Sequence, residues 1–231
     1  MDFNSFEFLY IASVWVLPVL LAITLHEAAH GFVAWRLGDD TALRLGRVSF
    51  NPFRHVDPFG TIILPALLLV LRAPFLFGWA KPVPVAFHRL RRPRRDMVLV
   101  AAAGPAANLI LATGSALLFH LLPLLPLSFA GWLGSNLFNS ILINLVLAVF
   151  NMLPLPPLDG GRVAVGLLPD VLARPLARLE RYGFLIIIGV IFLLPMLGRQ
   201  VGIDLNVFYW IIGVPVEWLT GFFIILAGLS A

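Results

Sequence analysis

The sequence predicts an all-α, multi-pass membrane protein. It should have about five to six transmembrane helices, with a re-entrant, β-containing membrane-embedded segment between the first two. Three observations carry this expectation. Of the 231 residues, 60% are hydrophobic and 12% charged, against about 45–50% apolar in a soluble domain. Apolar runs of about 20 residues, the length that crosses a hydrocarbon core, recur along the chain. Fourteen of the 16 Lys and Arg residues fall in three clusters, 36–54, 81–95 and 162–181. Basic loops beside apolar runs mark the cytoplasmic side. The high pI of 10.3 therefore reads as topology and contact with a lipid bilayer, and sets aside a nucleic-acid partner.

The first span begins near Phe8, carries no charge as far as Leu25 and stays apolar to Trp35. It lacks the positive n-region of a cleavable signal peptide, with Asp2 and Glu7 but no basic residue before Arg36, and is expected to be retained. The stretch 59–80 is apolar but contains Pro65, Arg72 and Pro74. A full crossing there would put the basic clusters on its two flanks on opposite faces, so a hairpin with both ends cytoplasmic is expected. Irregular backbone at that depth is tolerable where protein or a wet cavity surrounds it.

From Met97 to Leu158 no Asp, Glu, Lys or Arg occurs. That is enough for two spans, and "LLPLLPLSFAGWLGS" marks the turn between them. Tyr182–Gly198 and Leu205–Leu229 supply two more, the last interrupted by Pro215 and Glu217. Residues 1–231 are read as one integral membrane domain, with a core over 8–170 and accessory helices over 179–231. Trp35, Trp79 and Trp132 suit interfacial anchors, and "RLRRPRR" at 89–95 suits a topology determinant beside anionic lipid.

The chemistry sits in "LAITLHEAAHGFVAW", from Leu21 to Trp35. A charged group inside a bilayer costs roughly 2.5–3.5 kcal/mol on insertion scales, so ionisable residues there mark function by default. His26 and His30 are four apart and share one helix face. Two imidazoles at that spacing can chelate one Zn²⁺, and Glu27 can act as general base. Arg36 marks the inner end of the span, which places the histidines about 9–15 Å below it at 1.5 Å per residue.

A catalytic zinc takes a third protein ligand and keeps one position open. Asp159 follows the inner end of the third span in "NMLPLPPLDGGR", where prolines break the helix and let a polar turn fold inward. Asp57 and Glu217 are weaker candidates. The bland alternatives are packed histidines bonded across helices, and an Asp159 that only caps the next helix. His55 is read as a cleft or a loop residue, and Asn108 as a bond across helices. His88 and His120 are not expected to be ligands.

"HEAAH" in an apolar helix, "GPAAN" at Gly104–Asn108 and "NMLPLPPLDGG" at Asn151–Gly161 together resemble the site-2 protease family of intramembrane zinc metalloproteases. "GWAKPVPV" and "RHVDPFGT" resemble its small bacterial and archaeal members. The resemblance covers about residues 15–170. It implies one Zn²⁺ per chain on His26, His30 and Asp159, with Glu27 as the base. It implies that Asn151 lies near the metal for substrate or oxyanion contact, and that 41–95 holds membrane-embedded β structure near the cleft. The implied substrates are transmembrane proteins, cleaved in regulated intramembrane proteolysis. The implied place is a prokaryotic cell membrane, with the site toward the cytoplasmic side. The chain departs from many members in carrying no PDZ or CBS domain. The rival functions are a membrane metal transporter, which should spread its polar residues through the bilayer, and an inactive protease-like scaffold that binds membrane helices.

Overall fold

The computed structural model describes residues 5–70, 78, 80–200 and 202–229. Among them are five helical segments long and apolar enough to cross a membrane: Leu9–Arg36, Pro93–Leu124, Leu127–Asn151, Glu180–Gln200 and Tyr209–Leu226. The first belongs to α1 (Ser5–Arg36). At 1.5 Å per residue its 32 residues reach about 48 Å, well beyond a hydrocarbon core of about 30 Å. The second comprises α4 (Pro93–Leu118) and a 3₁₀ turn at Phe119–Leu124, and the third is α5 (Leu127–Asn151). Between α1 and α4 lie the short α2 (Thr41–Arg44) and α3 (Leu64–Val70). After α5 come α6 (Asp159–Leu167), α7 (Asp170–Arg178), α8 (Glu180–Ile188), α9 (Leu194–Gln200) and α10 (Val214–Leu226).

Lipid is as apolar as leucine, so spanning helices associate by close packing and not by burial from water. The sequence of α4 meets that need. Its buried face carries Ala101, Gly104, Asn108, Ala112, Ser115 and Ala116, a stripe of small residues at helical spacing, and it packs against α1, α5 and α6. The apolar core joins Ala112 and Ala116 of α4 to Leu137, Ile141 and Leu145 of α5 and to Val216 and Phe223 of α10. Large side chains on the outer faces, such as Leu17, Ile110 and Leu117, are exposed, as lipid-facing positions should be.

Three prolines are accommodated in one way. Proline lacks an N–H and its ring clashes with the carbonyl four residues back. Ahead of Pro65, Pro195 and Pro215 the helix widens into a π turn: Pro58–Ile63, Gly189–Leu193 and Tyr209–Gly213. Pro215 therefore does not interrupt the last span as the sequence suggested. Glu217 is bonded at 3.2 Å by the Tyr209 hydroxyl.

No strand occurs among the described residues, so the β structure expected over 41–95 is not found there. Pro82 and Pro84 supply the reason within 80–86, since a ladder cannot form where amides are missing. The remaining groups pair otherwise. Lys81 N–H donates to His55 O at 2.9 Å, and Lys81 O accepts from Arg47 at 2.6 Å. Val83 N–H donates to Glu27 at 2.8 Å, and Ala86 N–H donates to Asp39 at 2.6 Å. The expected hairpin at 59–80 begins as a π turn and α3. Its remainder, 71–77 and Trp79, lies outside the described residues.

Asp39 is fully buried just beyond α1. It ties the α1 exit to 80–86, accepting from the Thr41 amide and hydroxyl and from the Ala86 amide. Burial pushes its carboxyl up, but these hydrogen bonds and nearby Arg89 outweigh that and hold it below the ordinary carboxylate value. A depressed folded value means that the anchor contributes fully above an unfolded pKa of about 3.9 and is lost as pH falls through the folded value. Asp39→Asn should lower stability by about 1–3 kcal/mol and flatten its acid dependence. Thermal unfolding in detergent, followed by circular dichroism at neutral and acid pH, measures this. Parallel pH profiles for variant and parent would refute it.

Candidate functional site

His26 and His30 lie on successive turns of α1 and face α4. His30 Nδ1 lies 2.7 Å from Val100 O. A carbonyl oxygen can only accept, so Nδ1 carries the proton and Nε2 presents a lone pair. His26 Nδ1 lies 2.6 Å from Asn108 Oδ1, and Nε2 again faces inward. Asp159 arrives from the opposite side as the first residue of α6, where the positive end of the helix favours a carboxylate.

The three inward atoms converge. The two Nε2 atoms are 3.1 Å apart, and Asp159 Oδ2 is 3.2 Å from His26 Nε2 and 3.4 Å from His30 Nε2. Asp159 Oδ2 is buried and has no hydrogen-bond partner. Three lone-pair atoms at such range repel one another unless a cation lies between them. A tetrahedral ion with bonds of about 2.0–2.2 Å has ligand–ligand edges of about 3.3–3.6 Å, so the set suits Zn²⁺ in donor chemistry and comes within a few tenths of an ångström of its spacing.

Glycine makes room for this cluster. A Cβ added at Gly104 would lie 2.5 Å from His30 Nε2 and 2.6 Å from His26 Nε2, so no side chain fits at that point of α4. At Gly160 and Gly161 an added Cβ would run into the backbone of Met152–Leu153 and of Leu155–Pro156. The glycines after Asp159 thus let the proline-rich turn fold over the start of α6.

A cavity of about 470 Å³ opens beside the cluster, lined by His26, Glu27, Phe150, Asn151, Phe184 and Ile187 among others. Glu27 meets it, with Oε2 accepting from Val83 N–H. Asn151 lines it too. Its Nδ2 donates one hydrogen to Leu147 O at 3.0 Å, and the amide has a second. Residues 125–196 match Peptidase family M50. A protein of Bacillus subtilis (strain 168) named "Putative zinc metalloprotease YwhC" is 42% identical over 185 residues, covering 78% of this chain and 80% of that protein. The chain belongs to peptidase family M50. A second relative of this M50 chain, with the same descriptor and the name Rip2, comes from Mycobacterium tuberculosis. It is 33% identical over 208 residues, covering 87% of this chain and 74% of that protein. No solved structure matches the chain.

The other candidates are placed elsewhere. His55 is buried, not solvated; its Nε2 donates to Ser49 O at 3.0 Å, and it braces the loop that holds Lys81. Asp57 caps the π turn at Pro58, accepting from Phe59 and Gly60. Glu217 pairs with Tyr209, and His120 with Leu226 O. Sequence reading missed the Val83 amide on Glu27 and the Val100 carbonyl on His30, since backbone partners leave no residue-type signal. It also missed Asn144, which the i, i+4 series Asn136, Ser140, Asn144 in an apolar span does signal.

Proposed function

We propose that this M50 chain is an intramembrane zinc metalloprotease, one catalytic membrane domain that hydrolyses peptide bonds within or near transmembrane helices. The convergence of two imidazole nitrogens and an unpartnered carboxylate oxygen beside a cavity holding Glu27 and Asn151 carries this reading. His26, His30 and Asp159 would hold the ion. When bound, zinc supplies Lewis acidity to a water and to the scissile carbonyl. Glu27 takes the proton of the attacking water and delivers it to the leaving nitrogen. The second amide hydrogen of Asn151 would donate to the developing oxyanion, a role typically worth about 2.7–4 kcal/mol in other hydrolases. The apolar walls, Phe150, Phe184 and Ile187, suit side chains of an unwound transmembrane segment.

The purified chain should cleave members of a panel of transmembrane helices in detergent or bilayers. Cleavage should stop with chelator and return with zinc. Zinc binding without cleavage of any member, together with zinc flux in vesicles, would replace this reading with transport.

The site is proposed to open toward the cytoplasm, with both ends of 59–80 on that side. The chain has no cysteine, so single cysteines at the exposed positions Leu45 and Arg91 can be labelled without background. Both should react from the cytoplasmic face. Reaction from opposite faces would make 59–80 a full crossing.

A further inference from the structure

We infer that Asn144 is a positioning residue for the metal site: acting through Asn108, it sets which nitrogen of His26 carries the proton. This rests on the zinc reading above. Two buried amides form the relay, each fixed by a group of unambiguous polarity. An amide side chain presents an oxygen that only accepts and a nitrogen that only donates, and the two are nearly alike in shape. Backbone carbonyls tell them apart.

Asn144 Nδ2 lies 2.8 Å from Ser140 O, a carbonyl that can only accept. That puts Asn144 Oδ1 on the other side, where it accepts from Asn108 Nδ2 at 2.7 Å. Asn108 Nδ2 also approaches a second carbonyl, Ala22 O, at 3.3 Å. Both partners hold the nitrogen of Asn108 away from the metal site and its oxygen toward His26. That oxygen, 2.6 Å from His26 Nδ1, then requires a proton on Nδ1 and leaves the Nε2 lone pair for the ion. Asn108 and Asn144 are 0% and 1% exposed, so water does not compete. The Ser115–Ser140 hydroxyl pair at 2.8 Å extends the chain one step across α4 and α5.

The relay matters because the free imidazole has two tautomers and one of them would point N–H at the metal position. His30 has its proton placed directly by a backbone carbonyl, which mutation cannot remove. His26 depends on a side chain that could itself turn over. Of the two acceptors that oppose the turn, Asn144 Oδ1 makes the shorter bond, 2.7 Å against 3.3 Å for Ala22 O. The sequence pays for this with a polar residue in the middle of a spanning helix, where only a satisfied network is tolerable.

The test uses the full-length chain. In zinc-free wild type, nitrogen NMR of the His26 ring well above the imidazole range should show the Nδ1–H tautomer. Asn144→Leu should give a mixture of tautomers and weaken zinc binding roughly tenfold in competition with a chromogenic chelator, within the 10–100-fold typical of outer-shell partners. Asn108→Asp offers two accepting oxygens, so its orientation no longer matters. Adding it to Asn144→Leu should restore the single tautomer and most of the zinc affinity. A packing role for Asn144 would not be rescued in this way. Wild-type affinity and tautomer in Asn144→Leu, or failure of the rescue, would overturn the proposal. So would an Nε2–H tautomer in the wild type, a measurement that stands even if a variant does not fold. A wild-type chain that binds no zinc would defeat the zinc reading instead, while the tautomer still decides the role of Asn144.

Discussion

Glu27→Gln should leave zinc in place and lower cleavage of a transmembrane substrate by about 10²–10⁴-fold, the usual share of a general base. Glu27 lies about 100° around α1 from His26, and its Oε2 is held by the Val83 amide and not by the histidine cluster. Glutamine keeps the size and can still accept from Val83, so the variant separates proton transfer from structure. Metal content and cleavage rate, measured on the same preparation, decide it. A fully active, zinc-loaded variant would eliminate Glu27 as the base. Loss of zinc with activity would make it a ligand or a structural residue.

Asp159→Ala is expected to weaken zinc binding by more than the 10–100-fold typical of outer-shell changes, because it removes one of the three converging atoms. The helices need not separate, since α6 also packs on α4 and Arg94 binds Asp170, Gly166 O and Leu168 O. Zinc analysis after dialysis against a buffered chelator measures the effect. Unchanged affinity would remove Asp159 from the ligand set and reopen the choice of the third ligand.

The spans were legible because hydropathy over some 20 residues averages out local detail. Tyr182–Gly198 was expected and Glu180–Gln200 is found. The pair His26 and His30 was legible from spacing alone. Asp159 was legible from depth and from the prolines before it. The path of 80–86 was not, because its amides pair with Glu27, Asp39 and His55, which are remote in sequence. The resemblance implied a ladder there. The structure instead shows the N–H groups of Lys81, Val83 and Ala86 each taken by one long-range acceptor. The polar series on α5 was visible in the sequence but unread, since its target, Asn108, lies on another helix.

The three converging atoms are far apart along the chain, and that has a consequence for biosynthesis. His26 and His30 leave the ribosome early and insert with α1, whereas Asp159 emerges only after α4 and α5. On the proposed ligand set, a partly made chain carries two of the three ligands and is expected to hold metal more weakly than the finished one. Val100, Gly104 and Asn108, which meet those rings in the finished chain, also precede the carboxylate in the sequence. Full metal binding on that set must therefore wait until the third span has turned back and α6 has been made.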